Sequence, residues 1–225
     1  RERNYFGTML VETGQADAMI TGYSHAYPNA IRPVLEIIKK EEGVCRVAAA
    51  SIMFSKQGPI FLSDATININ PTAEELANIA LLTARAVKFF GLEPSVAMLS
   101  YSNFGSAVSE SSLKVREAVA YLHKNHPDLV VDGEIQADFA LNPDKIAKNY
   151  PFSKLNNGKA ANVLIFPNLE AANISYKLLK ETEHLDTIGP VILGLTKPIH
   201  VATLGSTVDE MVNLATLAVI QAQSE

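Results

Sequence analysis

Short continuous apolar runs alternate along this chain with longer stretches whose apolar residues recur every three or four positions. "YFGTMLVETGQ" has the helical spacing and stops at Gly14, and "ADAMITG" then reads as a strand. "NAIRPVLEIIKKEEG" predicts an amphipathic helix, in which Pro33 is tolerable only in the first turn because it has no N–H to donate. "RVAAASIMFSKQGPIFLSDATI" predicts two strands about a Gly58-Pro59 turn. In the long helix "NPTAEELANIALLTARAVKFFG", Thr72 and Glu75 have capping-box spacing and Gly91 marks the end.

The second half repeats the alternation. "SVAMLSYS", "LVVDGEI", "ANVLIFPN" and "GPVILGL" read as strands. Between and after them come the helices "SESSLKVREAVAYLHKNHP", the short interrupted "ADFALNPDKIAKNY", "LEAANISYKLLKETE" and the closing "TVDEMVNLATLAVIQAQ". Such alternation predicts an α/β fold with mainly parallel sheets. The candidate seams are the turns near 40–44 and 195–205.

The 225 residues are 48% hydrophobic and 19% charged, enough to build a sizeable core. Nineteen basic residues against 24 acidic ones give a net charge of −5 with no basic cluster, which argues against a nucleic-acid surface. No apolar run reaches the roughly 18 residues of a membrane span, and no signal-peptide pattern is present. The single cysteine, Cys45, cannot form an internal disulfide; it reads as a packing residue in a buried strand, and the setting as reduced and cytoplasmic. The opening "RERNYFG" lacks a Met, and the chain is expected to be a fragment of a longer protein.

Ligands of parallel sheets sit beyond the carboxyl ends of strands, so four polar stretches are the candidates to line one cleft: 100–106, 132–138, 167–173 and 197–207. "SYSNFGS" offers hydroxyls and backbone N–H groups to a phosphate or an amide, although an ordinary helix-capping loop has the same composition and no Walker-type lysine follows. "DGEIQAD" concentrates acids without the spaced ligand set of a metal site, and turn and cap roles are its default. Thr207 and Glu210 form a T-x-x-E capping box, which needs no catalysis to explain it. The five histidines show no ligand spacing, and H-E-x-x-H, G-x-S-x-G and G-x-G-x-x-G are all absent.

Taken in order, "YFGTMLVETGQADAMITG", "IRPVLEIIK", "NPTAEELANIA", "AMLSYSNFGSA", "VDGEIQADFAL", "ANVLIFPNLEAANISYKLL", "IGPVILGLTKPIHV" and "GSTVDEMVNLA" resemble the phosphotransacetylase family, which moves acetyl groups between coenzyme A and phosphate. The resemblance implies two α/β lobes with a cleft between them, 1–42 with 199–225 forming one and 43–198 the other. "YSNFGS", "FPNLEAANISYKLL" and "KPIHV" look most like the carboxy-terminal domain of bacterial NADP-dependent malic enzymes. That branch implies an acetyl-CoA-sensing, oligomer-building domain on the same polypeptide as a malic enzyme domain, where NADP and Mg or Mn would bind; this segment itself would hold acetyl-CoA and no metal.

Active family members carry Ser-Arg-Gly where this chain has Thr203, Leu204 and Gly205, followed by an aspartate where it has Glu210, with Asp209 adjacent. The resemblance assigns the arginine to the charge developing on the attacked carbonyl and the aspartate to the coenzyme A thiol proton. Leu204 cannot supply a charge-assisted hydrogen bond, which makes Thr203 and Glu210 a vestigial pair. Arg32 matches a second, anion-binding arginine and is retained. The acetyl-CoA set expected is Arg32, Ser102, Asn103, Gly105 and Ser106, with Asp132, Gln136, Asn173, Lys197 and Thr203 as further lining. Two rivals are an active phosphate acetyl- or butyryltransferase and a purely architectural domain.

Overall fold

Residues 2–24 and 26–224 are described here, from a computed structural model; Arg1, His25 and Glu225 lie outside. Six strands, β2 (Ala48–Ser55), β3 (Gly58–Ser63), β4 (Ser95–Leu99), β5 (Val130–Ile135), β6 (Val163–Ile165) and β7 (Thr187–Leu193), form one sheet in the order β5-β4-β6-β3-β2-β7. β2 pairs antiparallel with β3 and β7, while the β3–β6, β4–β6 and β4–β5 pairs are parallel. The carboxyl ends of β3 to β7 therefore share one edge of the sheet and their amino ends the other. A second sheet joins β1 (Met19–Gly22) in parallel to β8 (Ile199–Ala202), bringing together residues 180 positions apart, Met19 opposite Ile199. The expected α/β fold with mainly parallel sheets is the one observed.

Strand periodicity divides the core. Val96 and Met98 of β4 point to the face covered by α3 (Ala73–Phe89), α4 (Glu110–Asn125) and α8 (Val208–Gln223), where Leu76, Ile79, Val115, Leu122, Leu214 and Leu217 are buried. Ala97 and Leu99 point to the other face, against Ala140 of α5 (Ala137–Ala140), Ile146 of α6 (Pro143–Asn149) and Ala172 of α7 (Leu169–Glu183). Val11 of α1 (Arg3–Glu12) and Val34 of α2 (Tyr27–Ile37) pack on Ile199 of the small sheet. Both predicted capping boxes form: Thr72 with Glu75 on α3, and Thr207 with Glu210 on α8. Such a cap contributes about 1 kcal/mol.

Three local expectations are corrected. β8 lies inside the stretch read as a loop; "IHVA" is only four residues long, and a histidine interrupts its apolar run, yet all four are buried. Pro33 sits in the interior of α2, not its first turn, because the helix begins at Tyr27 with Pro28 near its start; the carbonyl of Asn29, left without Pro33's N–H, belongs to an exposed residue. Cys45 is exposed in the segment before β2, its carbonyl accepting from Lys40 Nζ.

His200, 1% exposed, is the buried histidine of β8. Its Nδ1 accepts the Ile192 N–H at 3.3 Å, so the ring proton resides on Nε2 and is donated to Gln221 Oε1 at 2.7 Å. Burial pushes its pKa down from 6.5 to about 4, with the Gln221 oxygen opposing part of that shift. The unfolded chain binds the proton at higher pH than the folded one. The stabilisation is therefore complete above pH 6.5 and is lost as pH falls towards 4, by about 3 kcal/mol. Urea melts from pH 7 to 4 are expected to show that loss in the parent chain and its absence in His200→Asn; parallel pH profiles would refute it.

Candidate ligand-binding site

The loop after β4 is built on one buried acid. Glu134 of β5, 0% exposed, accepts Arg116 Nε on Oε2 at 3.1 Å and Arg116 Nη2 on Oε1 at 3.0 Å. Oε1 also takes the Gly105 N–H at 2.7 Å and the Ser102 hydroxyl at 2.9 Å. Burial acts to raise the pKa of this carboxyl, but the Arg116 guanidinium and the N–H and O–H donors hold it below the ordinary range, so it stays charged. Gly105 has a φ of +94°, and a Cβ there would meet Arg116 Nη2 at 3.2 Å, so the turn requires glycine.

Asn103 and Gln136 lock the same loop to β5. Asn103 Nδ2 donates to Gln136 Oε1 at 2.9 Å, the Gln136 N–H donates to Asn103 Oδ1 at 2.8 Å, and Gln136 Nε2 reaches the Tyr101 carbonyl. Ser106 Oγ accepts the Asn103 N–H. All six backbone N–H groups from Ser102 to Ala107 are donated within the protein. The loop is thus a rigid, internally satisfied platform whose amides are already spoken for, with the exposed Ser106 hydroxyl at its surface.

The structure brings Ser102, Asn103, Gly105, Ser106 and Gln136 together and sends the other candidates elsewhere. Asp132 binds the Ser153 hydroxyl and the Lys154 N–H, both at 2.8 Å, and fixes the segment after α6. Asn173 on α7 donates to the Ala65 carbonyl beyond β3 at 3.0 Å. Lys197 lines a separate cavity with Arg85 and Gln221. Arg32, exposed on α2, borders an open polar cavity of about 900 Å³ with Arg3, Asn4 and Asn29. Glu134 and Arg116, which the sequence reading did not select, organise the loop; the signal was an acid two positions past Asp132, on a strand whose end turns into the helix-capping segment.

Thr203 and Glu210 do not join that group. A tight turn closes over Thr203, whose N–H donates to Ser206 Oγ at 3.0 Å while the Ser206 N–H returns to its carbonyl. Leu204 is 67% exposed at the turn. Glu210 is 7% exposed and accepts Lys180 Nζ at 2.6 Å and the Thr187 hydroxyl on Oε1, and the Thr207 N–H at 2.9 Å on Oε2. Burial would raise its pKa, but Lys180, Thr187 and Thr207 together hold it below the ordinary range. Thr187 opens β7, so Glu210 lies at the amino edge of the six-stranded sheet whereas the Ser102 loop lies at the carboxyl edge. Asp209 is exposed. Among the described residues, no cluster of three or more His, Cys, Asp or Glu is placed to hold a metal ion, and no helix is long and apolar enough to cross a membrane.

This geometry has relatives. The phosphotransacetylase of Streptococcus pyogenes superimposes with a TM-score of 0.90 at 39% identity, over 99% of this chain and 68% of that one. A branched-chain phosphotransacylase of Enterococcus faecalis has the same fold at a TM-score of 0.81 and 22% identity, over 97% of this chain and 78% of its own. In sequence, the phosphate acetyltransferase of Bacillus subtilis is 39% identical over 98% of this chain and 68% of its own length. The NADP-dependent malic enzyme of Salmonella typhimurium is 41% identical over 97% of this chain but only 29% of its length. The chain thus spans about two thirds of such a transferase and less than a third of such a malic enzyme. The phosphate acetyl/butaryl transferase profile matches residues 1–219, and the chain belongs to that family.

Proposed function

We propose that this chain is an acetyl-CoA-binding domain that does not turn its ligand over, carried by a longer NADP-dependent malic enzyme whose activity it regulates. The observation that carries this reading is the state of the acid at the start of α8. Glu210 is buried and charged, and Lys180, Thr187 and its own cap lower its affinity for a proton, which makes it a weak base for a thiol. Beside it the turn presents Leu204, exposed and uncharged, where the family resemblance calls for a cation.

Binding needs less than catalysis does. Arg32 and Arg3, set against the single carboxylate of Glu2, border one open polar cavity that could take a phosphate of coenzyme A, and the Ser106 hydroxyl offers a further polar contact on the platform after β4. Regulation follows only where the bound thioester favours one arrangement of domains or of subunits in a homo-oligomer over another. NADP and a divalent metal belong to the dehydrogenase portion in this reading, outside the described residues. The rival reading, a working phosphate acetyltransferase, draws on the 39% identity to such enzymes over nearly the whole chain.

Two measurements separate them. Release of coenzyme A from acetyl-CoA and phosphate is expected to run at least 10²-fold below an active family member, the usual loss when an oxyanion donor is missing. Leu204→Arg combined with Lys180→Gln, which also unburdens Glu210, should exceed Leu204→Arg alone by about tenfold; parent turnover within tenfold of an active enzyme would overturn the proposal. Calorimetry should show saturable acetyl-CoA binding, weakened about tenfold (1.4 kcal/mol) in Arg32→Ala. No heat at millimolar ligand would leave an architectural domain.

A further inference from the structure

We propose that Tyr27 and Asn68 are the two halves of a latch between the β1–β8 unit and the six-stranded sheet, closed when the start of α2 advances onto the turn after β3. Among the described residues, the buried side-chain N and O atoms without a hydrogen-bond partner are the Tyr27 hydroxyl and Asn68 Oδ1. They come from opposite sides of the seam. Tyr27 opens α2, whose Val34 packs on Ile199 of β8, whereas Asn68 ends the turn that follows β3. Tyr27 and Ile67, the neighbour of Asn68, pack against the same cluster of Val47, Ile192 and Val201.

The two groups are complementary in kind. Asn68 Nδ2 spends both hydrogens, one on the Val47 carbonyl at 3.0 Å and one on Asp64 Oδ2, which fixes the side of the amide that carries the oxygen. Oδ1 needs a donor, and a phenol is one. Asp64 already takes five donors on its two oxygens, the N–H groups of Ala49, Thr66, Ile67 and Asn68 and the Asn68 amide. Asn68 Oδ1 is therefore the acceptor still unmet. Burial, and after it the Asp64 charge, push the Tyr27 pKa up, so the phenol keeps the proton it would donate. Leaving a buried donor and a buried acceptor unpaired is unfavourable, and one bond between them removes both penalties. Closure also bears on binding. Arg32 stands five residues along the same helix, exposed on the open polar cavity, so the latch sets where that guanidinium lies relative to the six-stranded sheet. An anion that binds Arg32 more tightly in one arrangement shifts the latch with it.

The test uses the whole chain without ligand. Tyr27→Phe deletes only the hydroxyl and is expected to lower the folding equilibrium constant about tenfold in urea melts, but less than about twofold when Asn68→Ala is already present. Two NMR readouts need Tyr27→Phe alone. The Asn68 side-chain carbonyl carbon is expected to shift in that variant. With a spin label on Cys45, exposed before β2, the relaxation enhancement at the Ile31 and Val34 amides of α2 should change and that at Val96 of β4 stay as it was. A Tyr27→Phe chain as stable as the parent, or more so, would mean an unpaired hydroxyl and would overturn the proposal. Equal losses with and without Asn68→Ala would do the same, as would an unmoved α2, which leaves the pair to be bridged by a water. No acyl-CoA enters the experiment, so its outcome is independent of the function proposed above.

Discussion

The Glu210 carboxylate is the junction on which the arrangement around α8 depends. One oxygen closes the capping box at the start of α8; the other joins that helix to Lys180 on α7 and to Thr187 at the entry of β7. Removing any one partner would leave the half-screened carboxylate less well satisfied, a cost of about 1–2 kcal/mol, so the three contacts hold these elements together. The same contacts bear on the acidity of the group. A carboxylate that is satisfied by a cation and two neutral donors is an excellent anchor and a poor base, because every hydrogen bond that steadies the anion lowers its appetite for a proton.

A comparable logic governs the platform after β4. Glu134 holds Arg116, Ser102 and Gly105 at once, and Asn103 with Gln136 fastens what remains. Loops that cradle phosphate keep consecutive amides unpaired and aimed outward. Here the amides from Ser102 to Ala107 are turned inward, and the recognition capacity of this surface lies in side chains and shape.

The helices, the two capping boxes and the β2–β3 hairpin followed from periodicity and turn residues, because each is a local consequence of 2- and 3.6-residue repeats, and the alternation of strands with helices implied mainly parallel sheets. β8 did not, since a four-residue strand with a histidine at its centre has no apolar period of its own; it exists because β1 pairs with it and Gln221 satisfies its imidazole. For the candidate site, the Ser102 group was legible because its members share one loop and the strand end beside it. The opposite placement of Glu210 was not: which edge of a sheet a loop reaches depends on strand direction. Reading "SYSNFGS" and "GSTVDE" as neighbours assumed one shared edge, whereas Glu210 meets Thr187 at the entry of β7 and "SYSNFGS" follows the end of β4. The Glu134–Arg116 pair spans a strand and a helix 18 residues apart, a separation at which no helical or strand repeat pairs them.

α8 ties these observations together. Its 16 residues make a rod of about 24 Å, pinned at its first turn to α7 and the amino end of β7 through Glu210, and at its last turns to β8 through Gln221 and His200. Leu214 and Leu217, between those ends, are buried in the main core. A rod held at both ends and along its middle transmits displacement instead of absorbing it, since close-packed interiors shift between arrangements and do not deform continuously. Gln221 and the Thr203 turn are thus joined by two routes, through β8 directly and through the helix whose cap follows that turn. Glu210, through Lys180 and Thr187, is what fixes the first turn of that rod.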